Sequence, residues 1–323
     1  MRLIKYAAAL SGVSMLAGSL CAGPAGATTA GTKSAAAVVS AAGSCGMGIR
    51  SVTAAGDLGG ATVRASTPPT RVAIPLTGLH VFPAGSARLS TTWEISRGVG
   101  SDFLEYGNVV GGPSLYNAAA FFDGIAWHSS TAVVGGGWGS YTAIASSNYS
   151  RLADPAFGRH YLYGLRNDGV LFRWTTQGVD IRWDDPVGSN FGARRLGSYP
   201  GFSSVKAMTL ISQTATYDTF LANLRGGGLY TIRIPVSSPM KVVVKRVRTS
   251  TWQVFESLVA EQCGSQSTLL TGIDKDTGSA YLYAVSHATG ATTVIQSRGK
   301  IPGTFTDPVY FLRHPELNNL NGE

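Results

Sequence analysis

"LYGLRNDGVLFRW", residues 162 to 174, holds two apolar, partly alternating runs around Asn167-Asp168-Gly169. That spells a short β-hairpin, with Asp168 and Gly169 expected at positive φ. Whether it stands alone or recurs decides the fold. "FLANLRGGGLYTIRI" (220–234) repeats it with a turn at Gly226-Gly227-Gly228, and "LLTGIDKDTGSAYLYAV" (269–285) repeats it with a wider turn. "NAAAFFDGIAWH" (117–128) turns at Asp123-Gly124. The copies start near residues 118, 161, 220 and 269, an irregular spacing centred on the ~40–50 residues of a four-stranded propeller blade.

Two further strand candidates follow each hairpin, and a second signal recurs with them: a small residue, an aromatic ring, then a strand. It reads "GGWGSYTAI" (136–144), "PGFSSVKAM" (200–208), "STWQVFESL" (250–258) and "PGTFTDPVYFL" (302–312). A ring there is expected to wedge between neighbouring sheets. Residues 71–110 have room for four more strands. The expected fold is therefore all-β: a β-propeller of four-stranded antiparallel blades, five over residues 71–314, or six if residues 45–65 supply strands. Composition agrees, because 41 glycines and only 14% charged residues in 323 favour strands and tight turns over helices.

The "LYG…DG-x-L-x-RW" hairpin followed by a "G-[WF]" anchor resembles the tachylectin-like β-propellers. The resemblance rests on "LYGLRNDGVLFRW" and "GGWGSYTAI", and more loosely on "PGFSSVKAM" and "FLANLRGGGLYTI". It implies a five-bladed, sugar-binding lectin, although repeats in that family are close copies and these have diverged.

The N-terminus has a basic head (Arg2, Lys5), an apolar run from Tyr6 to Leu20 and the small triplet Ala25-Gly26-Ala27. A secretory signal peptide over residues 1–27 is expected, and with it an extracellular location. The apolar run is too short for a membrane span, and Leu20 before Cys21 is unsuited to lipid attachment. Residues 28–70 read as an Ala/Gly/Ser/Thr-rich segment, flexible at first and able to pack from Cys45 onward; residues 315–323 read as a tail. Cleavage would leave Cys45 and Cys263 as an even pair in an oxidising compartment, so a disulfide between them is expected. Two free thiols are the alternative. The net charge of +8 falls to +6 without Arg2 and Lys5, and only "KVVVKRVR" (241–248) concentrates it, as a solvated outer strand.

No nucleophile elbow, zincin helix or phosphate loop occurs. The five histidines are scattered without metal spacing, and "DKDTG" (274–278) reads as a widened turn rather than a Ca²⁺ loop. No metal, cofactor or nucleic-acid partner is expected. Aromatic rings flanked by polar groups suit sugars, which makes Trp183 with Arg182 and Asp184, together with Trp127 and Trp174, the candidate ligand contacts. Trp138 and Trp252 share the anchor position and are assigned to packing. The expected function is a secreted, monomeric, non-catalytic binder of carbohydrate or a cell-surface glycan. A glycoside hydrolase using Asp184, Asp168 or Asp123, or a protein-interaction module, is the alternative.

Overall fold

The computed structural model describes residues 45–97, 103–151, 154–176, 192–315 and 318–323. The expected signal peptide, the segment up to residue 44 and the trio Arg182, Trp183 and Asp184 lie outside the described residues. The strands are β1 (Gly46–Val52), β2 (Leu58–Arg64), β3 (Thr70–Gly78), β4 (Ala87–Ser90), β5 (Trp93–Arg97), β6 (Phe103–Gly111) and β7 (Ser114–Phe122). They continue as β8 (Trp127–Gly135), β9 (Tyr141–Arg151), β10 (Asp154–Arg166), β11 (Leu171–Thr176), β12 (Ala193–Tyr199), β13 (Val205–Gln213) and β14 (Tyr217–Leu224). The last are β15 (Leu229–Pro235), β16 (Val243–Arg248), β17 (Ser257–Gln262), β18 (Thr268–Asp274), β19 (Ser279–Val285), β20 (Ile295–Lys300) and β21 (Val309–Pro315). A single turn of 3-10 helix, Trp138–Ser140, is the only helix among the described residues.

Three groups, β9–β12, β13–β16 and β17–β20, are separate four-stranded antiparallel sheets. A larger sheet runs β3-β2-β1-β21-β5-β6-β7-β8, with β4 beside β6. It divides at a short parallel contact, Arg313↔Trp93 to Pro315↔Ile95, into one group closed by β21 against β1 and another built on β4 and β5. The strands that open each group touch in ring order: β21 meets β4 and β5, β4 meets β9, β9 meets β13, β13 meets β17, and β17 meets β21. That radial closure makes the fold a β-propeller. β1 and β2 extend the sheet that holds β21, so the first strand among the described residues begins at Gly46, ahead of the boundary at 71 expected from composition.

Each blade is organised by the hairpin that joins its second and third strands. In the hairpin first read, Arg166 N–H donates to Val170 O and Gly169 N–H to Arg166 O. Gly169 takes φ 82°, whereas Asp168 does not have positive φ; its carboxylate instead accepts the Val170 N–H and pairs with Arg166. A three-residue turn of this kind needs left-handed backbone only at its last position. A Cβ on Gly169 would lie 2.3 Å from Ser203 N, where the next aromatic anchor docks.

That docking repeats around the ring. The anchor N–H donates to a turn carbonyl from Phe82 to Gly56, Trp138 to Pro113, Phe202 to Gly169, Trp252 to Gly227 and Phe305 to Gly278, at 2.8–3.1 Å. All five rings are buried. The sequence reading found four of these anchors and missed Phe82. Its phase also shifts: each anchor precedes the innermost strand of the next blade. The Asp123-Gly124 turn joins strands three and four of its blade, so the true counterpart of the opening hairpin is β6–β7, turning at Gly112-Pro113.

Burial follows the repeat, with large cores between facing sheets. Cys45 and Cys263 form the expected disulfide, with Cα atoms 5.6 Å apart across 218 residues of sequence. It ties the entry to β1 to the loop after β17. The C-terminal residues, read as a tail, are packed. Leu320 is buried, Asn319 bonds Ser150 and Gln213, and buried Glu323 pairs with Arg233.

Candidate functional site

The blades can be aligned residue by residue from their hairpin registers. Near the start of the third strand stands Leu58, Leu115, Leu171, Leu229 or Ala280, facing Val52, Val110, Leu165, Asn223 or Ile273 respectively. All five are at most 1% exposed. The next residue is Tyr116, Phe172, Tyr230 or Tyr281 in four of these hairpins and Gly59 in the remaining one. Three of those rings pack toward the anchor region of their own blade: Tyr116 on Phe82 at 6.2 Å, Phe172 on Tyr141 at 6.1 Å and Tyr281 on Phe255 at 6.2 Å.

Where Gly59 replaces the ring, a cavity of about 180 Å³ opens between β1–β3 and the loop leading into β21. Its apolar surface comes from the buried Phe305 and from Ile74 and Leu76. Its polar groups are Arg71, Asp307, Tyr310, Ser51 and Thr53. The Arg71 guanidinium carbon lies 5.2 Å from the Phe305 ring centre, and its buried Nε has no hydrogen-bond partner among the described residues. A buried donor left unmade costs free energy that a ligand acceptor would recover. The Tyr310 hydroxyl accepts the Asp307 backbone N–H at 2.8 Å. Burial pushes its pKa up to about 12, so the hydroxyl keeps its own proton to donate. Asp307 contributes an acceptor-only carboxylate. Together these groups provide two donors, a carboxylate and an apolar wall.

Of the residues singled out from sequence, the described ones, Trp127 and Trp174, are not brought together. Trp174 packs in an aromatic cluster, stacked on Phe172 at 5.6 Å and tilted against Trp138 at 5.2 Å. Trp127, half-buried at the start of β8, sits 5.6 Å from Phe122; the structure does not bring it to Trp174. Trp138 and Trp252 pack at the anchors as expected. Asp123 accepts the N–H groups of Ala126 and Ile125 and pairs with His128, which together lower its pKa to about 2. It lies at a three–four turn and Asp168 at a two–three turn, so antiparallel strands place the two at opposite ends of their sheets.

Sequence reasoning missed Arg71, Asp307 and Tyr310 because it searched for rings, and the site arises where a ring is absent. Aligning third strands would have exposed Gly59 as the exception. No cluster of three His, Cys, Asp or Glu side chains able to hold a metal occurs among the described residues.

No described protein family matches the sequence, and no curated protein matches it. Among solved structures the chain is similar to the SapL1 lectin in complex with alpha methyl fucoside, at 9% identity and a TM-score of 0.36, over 83% of this chain and 99% of that one. It is also similar to the intramolecular trans-sialidase from Ruminococcus gnavus, at 12% identity and a TM-score of 0.31, over 73% of this chain and half of that one. Neither likeness assigns a role to a residue here.

Proposed function

We propose that the chain is an exported, five-bladed, non-catalytic propeller that binds carbohydrate in the cleft opened by Gly59. The observation that carries this reading is a departure from the blade repeat at one position: a ring is replaced by glycine, and polar groups of a sugar-binding type line the space it leaves. A sugar offers hydroxyls that donate to a carboxylate and accept from a guanidinium or phenol, on a ring with apolar C–H faces. Asp307, Arg71, Tyr310 and the Phe305–Ile74 wall match those requirements. The N-terminal leader pattern and the Cys45–Cys263 bond favour an oxidising, extracellular setting.

A glycan array on the mature protein tests the reading, followed by titration of the best-bound glycan. Asp307→Ala and Arg71→Ala are each expected to weaken it by about tenfold or more, the scale of a lost charge-assisted hydrogen bond. An array without a binder, or variants that bind as the wild type does, would refute it.

A further inference from the structure

The propeller axis holds a second cavity, of about 120 Å³, several times the ~30 Å³ a water occupies in the liquid. It is lined by all the ring-forming positions, β4, β9, β13, β17 and β21. Three basic side chains line it from separate points of the ring: Arg88 in β4, Lys206 in β13 and Lys275 just after β18. Against them stands one carboxylate, Glu256. Its Oε1 is 2.5 Å from Lys206 Nζ, and its Oε2 accepts the Lys275 backbone N–H at 2.7 Å.

The Lys275 ammonium donates to the Pro308 carbonyl, and Arg88 Nη2 donates to the Trp138 carbonyl at 3.1 Å. A carbonyl offers each cation a dipole and no countercharge. The cavity thus carries two more cations than carboxylates, in a recess whose low-dielectric walls focus the field. Hydroxyls of Thr209 and Ser257 add donors beside it. The opposite ends of β9 and β13 are covered by the C-terminal residues through Asn319, which leaves the anchor face as the approach.

We propose that this axial recess is a binding site for a small oxyanion, a sulfate or a carboxylate, held by Lys275, Arg88 and Lys206. Burial lowers the pKa of Lys275 and outweighs the opposing effect of Glu256, so the ammonium is under-compensated here; a bound anion would raise the value. The recess shares Tyr310 with the Gly59 cleft, but none of its three cations lines that cleft.

Calorimetric titration of the full mature chain at constant ionic strength tests the proposal, with sodium sulfate and sodium glucuronate in separate runs. Saturable binding of either supports it: sulfate alone points to an inorganic ion, and glucuronate alone to an acidic sugar. Arg88→Gln and Lys275→Gln should each weaken that binding at least tenfold, while Lys245→Gln on exposed β16 and Gly59→Tyr leave it unchanged. Arg88 is exposed, so its variant keeps the fold and the experiment stays decisive if Lys275→Gln is unstable. Absence of saturable binding by both probes, or wild-type affinity in Arg88→Gln, would overturn it.

Discussion

His314 illustrates how much a single residue can commit to. Buried in β21, it places Nδ1 2.9 Å from Glu261 and Nε2 2.8 Å from the Asn318 carbonyl. Both nitrogens can donate only when the ring is protonated. Burial disfavours that charge, but Glu261, the Asn318 carbonyl and the more distant Glu94 outweigh it, and the pKa is raised above its ordinary 6.5. The stabilisation is therefore fully present below 6.5, the unfolded value, and is lost as pH rises through the higher folded value. Urea denaturation of wild type and His314→Gln should show a stability gap that is widest near pH 6 and narrows toward pH 9. A gap that is constant or widens with pH would contradict the charged pair.

At the scale of elements, the aromatic anchors do the joining. Trp252 is 6% exposed, with Phe255 at 5.5 Å and Tyr283 at 5.0 Å, and its N–H reaches back to the Gly227 turn of the preceding blade. Trp252→Ala should cost about 3–5 kcal/mol, as expected for removing a buried ring, by equilibrium denaturation; a loss below about 1 kcal/mol would mean the ring does not hold the blades together. This layer of the fold was largely legible in sequence. Turn chemistry at Asn167-Asp168-Gly169 and at the triple glycine marks hairpins by local backbone demand, and large rings after small residues mark the anchors. The phase of the blades was not legible, because a Gly turn looks the same between strands two and three as between three and four. Phe82 escaped because its partner turn at Gly56 lies in a segment whose Ala/Gly/Thr composition resembles a leader.

For the whole molecule, closure is achieved by long-range contacts that no local pattern announces. β1 pairs with β21 across nearly the full chain, and the disulfide ties the entry to β1 to the neighbouring β17–β20 sheet. Arg50, fully buried in β1, meets Glu105 of β6 at 3.0 Å, and Glu105 also meets Arg313 of β21 at 2.8 Å. The expected pairing of Cys45 with Cys263 was legible from their count and compartment; the Arg50–Glu105–Arg313 cluster was not, since charges so far apart in sequence carry no mutual signal. The candidate site belongs to this scale as well. It exists because the blade that closes the ring is also the one lacking its third-strand ring at Gly59. A Cβ there would lie 3.3 Å from Leu76 Cδ2 and 3.4 Å from Ser51 Oγ, beside the open cleft.

Restoring the repeat is the most direct test. Gly59→Tyr, titrated with the glycan selected on the array, should keep the wild-type circular dichroism and melting transition while losing affinity at least tenfold, about 1.4 kcal/mol. A folded Gly59→Tyr protein that binds the same glycan with wild-type affinity would contradict the assignment of the cleft as the sugar site.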